Sequence, residues 1–362
     1  MSNRIDFFLG ANTSDGFFGY YNETVVPNKN NKTYIIKGGP GTGKSNLMKK
    51  ISKSLSPKHE IIEHIHCSSD PDSLDAVIFN NMQFSVFDGT APHIIDPEYP
   101  GAYETIINLG DYWDEKNLSN NRHEIINASN LIKENHLECQ KYIKTANILL
   151  NNNYKISLAC TNMKKIKKFV SSFIKKEFPQ KNTAKAKCDE KIENKRLLSA
   201  VTNKGIINYA DTLGDLCDKI YIIRDEYGAS SDLILKSLRE YAQNENIQFY
   251  SCWCSLNPKT KLEHLFFPKQ NLCIITENRF FKTKINNYKV VNYTRFTDMD
   301  LLKSKKQKLN FNKKAAEELL FEATVELKDA KQTHDILESY YINSMDFNLI
   351  DKKANEIIDK LL

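Results

Sequence analysis

The chain has 362 residues, of which 41% are hydrophobic, and its formal net charge at pH 7 is +6. This length and apolar content are enough for two domains of ordinary size, each with its own core. No run approaches the ~18 consecutive apolar residues of a membrane-spanning helix, and the mild charge permits an anionic partner without requiring one. The N-terminus lacks the features of a secretory signal and the eight cysteines form no CxxC pair, so we expect reduced thiols and a cytoplasmic location.

A segment near the start of the chain recurs in its second half. FFLGANTSDGFFGYY (7–21) aligns with RLLSAVTNKGIINYA (196–210), and HCSSDPDSL (66–74) aligns with WCSLNPKTK (253–261). QFSVFDGT (83–90) falls near QNLCIITE (270–277), and both halves end in long, charged, helix-patterned tails, at 121–180 and 298–362. A polar joint at 181–195 separates them. These matches predict an internal duplication, with domains at 1–190 and 191–362.

A phosphate-binding pattern follows the apolar run 33–37. GGPGTGKS (38–45) fits GxxxxGK[ST], and 46–55 has helical apolar spacing. The glycines allow positive φ angles, so that successive N–H groups can point at phosphate oxygens near a helix N-terminus. Lys44 is expected to reach the β- and γ-phosphates, and the Ser45 hydroxyl to hold Mg²⁺. The predicted nucleotide-binding residues are Gly38, Gly39, Pro40, Gly41, Thr42, Gly43, Lys44, Ser45 and Asn46.

Acidic residues complete the predicted site. Asp88 ends the apolar run 84–88 and is the predicted second Mg²⁺ ligand, although an ordinary strand-to-turn aspartate would look the same. Gly89 stands where many ATPases place a water-activating carboxylate, which leaves the general base unassigned and favours transfer to another acceptor or slow hydrolysis. Asp70 and Asp72 follow a predicted strand at 60–66. They either face the site, with Asp70 as a catalytic candidate, or form an Asp-Pro turn that caps a helix beginning near Leu74.

Several further residues allow two interpretations. His66 is either a packed histidine at a strand end or a catalytic group. The Pro- and Gly-rich stretch 88–115 predicts an ordered loop near the site and a short helix, with His93, Asp96 and Glu104 as further candidates. The basic, amphipathic helix predicted at 163–178 either packs its apolar stripe on the protein itself or meets a membrane or nucleic acid.

The second half carries a degenerate copy of the loop. At the positions of Gly43, Lys44 and Ser45 it has Ser230, Ser231 and Asp232, and at those of Gly38 and Gly39 it has Asp225 and Glu226. The lysine is lost, and three carboxylates would repel a triphosphate. We therefore expect the second half to keep the fold, to bind no nucleotide in this mode, and to act as a scaffold or lid.

The motifs KGGPGTGKSNLMKKI, HCSSDPDSLDAVI and DGTAPHIIDPEYPGAYETIINLGDYWDE, within the duplicated architecture, resemble an uncharacterised bacterial family of tandem P-loop ATPases. The resemblance covers essentially the whole chain. It implies ATP as the nucleotide and says little about a substrate, because the assignment of that family as ATP-binding or nucleotide-kinase-like rests mainly on the loop. Typical members carry a GTGKS-type loop in both halves, and this chain departs from them in the second.

Together these patterns predict an α/β protein of two tandem P-loop NTPase-type domains, each a mostly parallel sheet flanked by helices with a long helical tail. The first half is expected to bind Mg·ATP and to couple hydrolysis to a conformational switch, while the second half pairs with the first. A kinase acting on a small molecule or nucleotide is the alternative. A non-catalytic, ATP-responsive module that binds nucleic acid is the third. The acceptor or protein partner is not specified by the sequence.

Overall fold

The computed structural model describes residues 4–25, 32–55, 61–80, 83–179, 191–214 and 216–361. The strands of the first half are β1 Arg4–Phe8, β2 Gly10–Thr13, β3 Gly16–Gly19, β4 Lys32–Lys37, β5 Ile62–His66, β6 Leu74–Phe79, β7 Phe84–Asp88 and β8 Glu104–Asn108. Its helices are α1 Tyr21–Thr24, α2 Lys44–Leu55, α3 Glu115–Asn120, α4 Arg122–Ala159 and α5 Met163–Glu177, with a 3₁₀ turn at Leu109–Tyr112.

The second half repeats this series of elements. Its strands are β9 Glu193–Arg196, β10 Ser199–Thr202, β11 Gly205–Asn208, β12 Lys219–Arg224, β13 Phe249–Trp253, β14 Leu262–Phe267, β15 Leu272–Glu277 and β16 Lys289–Asn292. Its helices are α6 Ala210–Gly214, α7 Ala229–Asn244, α8 Met299–Lys303, α9 Lys306–Ile342 and α10 Phe347–Leu361, with 3₁₀ turns at Pro268–Gln270 and Tyr293–Arg295.

The two six-stranded sheets have the same strand order and the same strand directions. The order is β1-β5-β6-β7-β4-β8 in the first half and β9-β13-β14-β15-β12-β16 in the second. A two-stranded hairpin, β2-β3 or β10-β11, accompanies each sheet. The predicted α/β class is therefore confirmed, and the matching topologies agree with an internal duplication.

Each sheet is mixed: five of its strands run in the same direction, in keeping with the predicted mostly parallel sheets, and one strand is reversed. Strand β6 runs antiparallel to β5 and β7, and β14 runs antiparallel to β13 and β15. The segment 67–73 joins β5 to β6, and it is too short for the crossover that parallel neighbours require, which takes about a dozen residues or more. The helix expected to begin near Leu74 is therefore wrong, because that residue starts a strand. Likewise, part of the predicted loop 88–115 forms the edge strand β8.

The long helices α4 and α9 lie antiparallel and connect the two halves. Near one end the Asp114 N–H donates to the Ser344 carbonyl oxygen, and near the other the Asp298 N–H donates to the Cys160 carbonyl oxygen, both at 2.8 Å. Between these ends the helices bury an apolar seam made of Cys139, Ile143, Ala146, Ala316, Leu320, Ala323 and Leu327. Each half therefore sends its tail across to the other half.

The last helix of each tail packs on the opposite sheet layer. In α5, the Phe173 ring lies 4.8 Å from Tyr221 of β12, and Ile166 and Val170 belong to the same buried cluster. In α10, Ile350, Ala354 and Ile357 pack in one cluster with the apolar face of α2. The apolar stripe of the basic helix thus packs on the protein itself, as the simpler of its two interpretations predicted.

The largest apolar cluster contains residues of both halves, so the two halves share part of their core. Phe7 and Phe8 of β1 share this cluster with Leu197 and Leu198, and Phe8 and Leu197 exchange backbone hydrogen bonds of 2.8 and 2.9 Å. The boundary predicted at 190/191 falls at the edge of a segment, 180–190, outside the described residues. Among the helices that the structure describes, none combines the length and apolarity needed to cross a membrane.

Candidate functional site

The phosphate-binding pattern forms a loop at the carboxyl end of an interior strand. Strand β4 lies between β7 and β8 and ends at Lys37, and α2 begins at Lys44. Between them Gly41 and Gly43 have φ angles of +69° and +85°. These values lie in the left-handed region of backbone conformation, which residues other than glycine rarely adopt. The first turn of α2 closes through the Leu47 N–H, which donates to Gly43 O at 2.9 Å. The strand, loop and helix expected around the pattern are all present.

Lys44 and Asp88 meet beneath this loop. The Lys44 ammonium donates to Gly38 O at 3.1 Å and to Gly39 O at 2.6 Å, and it lies 3.7 Å from Asp88 Oδ2. The other oxygen of Asp88 accepts from the Thr90 N–H and hydroxyl, at 2.9 and 2.6 Å. Both charged side chains are largely buried, and β7 and β4 are neighbours, which explains why the two groups meet.

The remaining loop residues occupy distinct positions. Thr42 Oγ1 donates to Gly39 O at 2.8 Å and braces the loop. Ser45 Oγ accepts the Leu74 N–H at 3.0 Å, which ties the start of α2 to the start of β6. Pro40 is half-buried, whereas Asn46 is exposed on α2. Of the residues predicted to bind nucleotide, Asn46 is thus the one whose side chain is most open to solvent.

Gly89 is closed to any side chain. A Cβ at this position would come within 2.4 Å of Ile35 Cγ2 and 3.1 Å of Ile95 O. Packing against the neighbouring strand therefore excludes a carboxylate directly after Asp88. The absence of an acid there follows from the local packing of β4.

A buried polar network beside Asp88 contains the candidate His93 together with Asp75 and Tyr21, which were missed in the sequence. Asp75 accepts from the Tyr21 hydroxyl at 2.7 Å and lies 3.4 Å from His93 Nε2, while His93 Nδ1 contacts Asp88 O at 3.0 Å. Burial alone would lower the pKa of His93, but the Asp75 carboxylate outweighs it and raises that pKa to about 9. Asp75 reaches this edge because β6 is antiparallel and starts where β7 ends; recognising that strand would have identified it.

The other acidic candidates are divided between the site and the surface. Asp70 makes the predicted turn, accepting from the Ser73 hydroxyl at 3.0 Å, and it also lies 3.5 Å from Lys331 of α9. Asp72 is exposed and pairs with Lys204. The turn leads into a strand, so its predicted helix-capping role is wrong.

The two remaining acidic candidates and His66 have structural contacts. Asp96 is exposed and pairs with Lys37 at 2.8 Å, whereas the buried Glu104 accepts the Tyr99 N–H at 2.9 Å and holds the preceding loop. His66 contacts Pro71 O at 2.6 Å through Nδ1 and Asp6 at 2.9 Å through Nε2. These contacts support the interpretation of His66 as a packed histidine.

Helix α9 of the second half covers the loop. The Gly41 N–H donates to Glu338 Oε1 at 3.2 Å, and a Cβ on Gly39 would lie 2.5 Å from the Tyr341 ring. Lys331 pairs with Asp70 and with Asp335 of its own helix. No motif in α9 marked these residues, because they reach the site only through the antiparallel packing of α4 and α9. Ligand atoms of His334, Asp335 and Glu338 lie within 4.8 Å of one another on this partly exposed helix.

In the degenerate loop of the second half, backbone N–H groups donate to a carboxylate of the loop itself. Asp225 accepts backbone N–H groups from Tyr227, Gly228 and Ser231, at 3.2, 3.0 and 2.9 Å. Asp225 is buried. These donors are therefore occupied by a residue of the loop itself, which agrees with our expectation that this loop does not take a nucleotide.

The other two carboxylates of the degenerate loop also have partners. Asp232 accepts the Leu262 N–H at 2.8 Å, the counterpart of the contact between Ser45 and Leu74. Glu226 pairs with Lys313 of α9 at 3.0 Å. Carboxylates at the positions of the predicted phosphate-binding residues thus make internal hydrogen bonds and ion pairs in this loop.

The buried His264 on β14 should make the stability of the folded protein depend on pH. Burial lowers its pKa to about 4, so the unfolded state takes up a proton first as the pH falls below ~6.5. The free energy of unfolding should therefore fall by about 2 kcal/mol more between pH 7 and pH 5 in the wild type than in His264→Gln, as urea unfolding would measure. Equal pH dependence in the two proteins would refute this assignment.

No protein-family model, curated protein or solved structure matches the chain. The predicted family resemblance and the P-loop NTPase fold therefore stay predictions. The seven cysteines within the described residues are free thiols, six of them buried.

Proposed function

We propose that the first half binds Mg·ATP and that the protein is an ATPase whose cycle drives a conformational switch between its halves. The observation that carries this proposal is the placement of Lys44 between the loop carbonyls and Asp88 at the carboxyl end of β4. A cation held at the N-terminus of a helix, next to glycines with positive φ, is the arrangement that binds polyphosphates.

The residues present fit a magnesium nucleotide. The Gly41 N–H is directed at a carboxylate, which shows that this donor is oriented toward an anionic partner. The Ser45 hydroxyl and the Asp88 carboxylate would supply hard oxygen ligands of the kind that Mg²⁺ prefers. Bound Mg²⁺ would neutralise charge on the phosphates. The chain itself contributes the Lys44 cation and fixed backbone dipoles, so catalysis would rest on positioning and electrostatics.

The contacts of the loop with α9 support a switch. Gly41 meets Glu338, and a Cβ on Gly43 would lie 3.4 Å from Phe347 at the start of α10. A rearrangement of the loop on binding phosphate would therefore change its contacts with α9 and α10, the helical tail of the second half. This contact gives the second half a role that needs no nucleotide of its own.

The test is ADP release from Mg·ATP by the wild type and by Asp88→Asn, with no added acceptor. Slow turnover that falls about 100-fold or more in the variant would support an ATPase whose metal is held by Asp88. Wild-type turnover that is undetectable without an acceptor would refute the hydrolytic proposal.

The kinase alternative is favoured by one observation, the closed position at Gly89. Without an acid there, a water molecule lacks its usual activating group, and a substrate hydroxyl is the other nucleophile that this chemistry uses. ADP release that requires a small molecule or nucleotide acceptor would select this function. The nucleic-acid module depended on the basic helix α5, whose apolar face is buried against the second half.

A further inference from the structure

The contact between α9 and the phosphate-binding loop is made through a carboxylate. Glu338 Oε1 accepts the Gly41 N–H at 3.2 Å, and a Cβ on Gly41 would lie 2.8 Å from Glu338 O. The Glu338 side chain remains 31% exposed. Backbone N–H groups of such loops are the donors that phosphate oxygens accept. Glu338 therefore accepts the hydrogen bond of an N–H group that a bound phosphate would also use.

The second half contains an internal comparison for this contact. Gly228 aligns with Gly41 and has a similar φ angle, +79° against +69°. Its N–H donates to the Asp225 carboxylate at 3.0 Å. In both loops the equivalent N–H is thus taken by a carboxylate. Asp225 belongs to its own loop and is buried, whereas Glu338 reaches across from another element and is partly exposed.

The residues over the two loops differ in charge. Cys160 and Ser344 are equivalent positions just after α4 and α9, because the carbonyl oxygen of each accepts the equivalent hydrogen bond from the other half. Counted back from these positions, Tyr154 is the counterpart of Glu338, and Asn147 is the counterpart of Lys331. Tyr154 donates its hydroxyl to Asp232 at 2.8 Å. The α4 counterparts of Glu338 and Lys331 are therefore neutral, and a charged residue that reaches the degenerate loop, Lys313 of α9, pairs with Glu226, while the backbone donors of that loop are held by Asp225.

We propose that Glu338 is a residue of the nucleotide site that competes with the phosphate for the Gly41 N–H and is displaced when nucleotide binds. This inference rests on the proposed binding of nucleotide by the first half. Because the exchange breaks a contact with α9, nucleotide affinity and the docking of α9 are linked, and each weakens the other by the same factor. Glu338 thereby sets the affinity of the site and reports its occupancy to the second half.

The test is calorimetric titration of a non-hydrolysable ATP analogue with Mg²⁺ into the wild type and Glu338→Gln. Removing the charge weakens the competing hydrogen bond, so the variant should bind about three- to tenfold more tightly. Glu338→Ala, which removes the acceptor altogether, should bind at least as tightly as Glu338→Gln. Glu322→Gln is the matched control, because it makes the same charge change at an exposed position of α9 remote from the loop; its affinity should equal that of the wild type.

The outcomes separate this inference from the proposed function. Unchanged or weaker binding by Glu338→Gln, with clear binding by the wild type, would overturn the inference and leave the nucleotide site standing. Weaker binding in particular would show that the carboxylate helps to hold the magnesium nucleotide. Equal tightening by Glu322→Gln would assign the effect to net charge and would also overturn it. No binding by any of these proteins would refute the proposed function, and the inference with it.

Discussion

Lys44→Ala is expected to lower the affinity for Mg·ATP by about 100-fold or more and to abolish turnover. The Lys44 ammonium is held by Gly38 O, Gly39 O and Asp88 in a largely buried position. Hydrogen bonds from a buried cation to phosphate are among the strongest in proteins. Their loss also leaves Asp88 without its cation, so it would repel the incoming phosphates. Fluorescent-nucleotide binding and ADP release measure the two effects.

Lys53→Ala is the matched control for this variant. Lys53 lies on the same helix α2 but is exposed, away from the loop. The substitution removes the same charge and should leave both affinity and turnover unchanged. If Lys44→Ala bound Mg·ATP as tightly as Lys53→Ala, the loop would not be the nucleotide site.

Glu63→Ala is expected to destabilise the protein by about 3–5 kcal/mol, because it leaves a buried cation without its partner. Glu63 is 0% exposed and accepts from Arg196 Nε at 2.7 Å, where Arg196 is 2% exposed. It also accepts from Asn80 Nδ2 and from the Tyr250 hydroxyl, both at 2.8 Å. The network joins residues of both halves, so its loss should loosen the boundary between the two sheets. Urea unfolding measures the change.

Lys50→Ala tests whether burial explains the large contribution of the Glu63–Arg196 pair to the free energy of unfolding. Lys50 and Asp351 form an exposed pair at 2.8 Å between α2 and α10. Exposed ion pairs contribute about 0–1 kcal/mol to stability, so the free energy of unfolding of this variant should be close to that of the wild type. A Glu63→Ala protein as stable as Lys50→Ala would contradict the structural importance assigned to the buried network.

The parts of the fold that the sequence predicted were those with local or repeated signals. The loop 38–45 has a fixed spacing whose glycines and lysine are set by local geometry, and the duplication was visible because equivalent residues recur at a constant offset. Strand β7 was found because apolar residues end in an aspartate there. Each of these patterns is complete within a few residues of chain.

The errors arose where neighbours in space decide the structure. LDAVIF forms the buried strand β6, although a helix was predicted to begin there. A short, largely apolar run does not by itself distinguish a buried strand from a helix. Asp75 joined the site only through the reversed direction of β6. The contributions of Lys331 and Glu338 depended on two long helices crossing between the halves, a pairing that neither helix pattern encodes.

The most direct test of the account is the stoichiometry of Mg·ATP binding to the wild-type chain, measured by calorimetric titration. The intact loop offers Lys44 and Ser45, whereas the donors of the degenerate loop are held by Asp225. One site per chain is therefore expected. Two sites per chain, or none, would contradict a protein with one working phosphate-binding loop and one that has replaced its ligand with its own carboxylate.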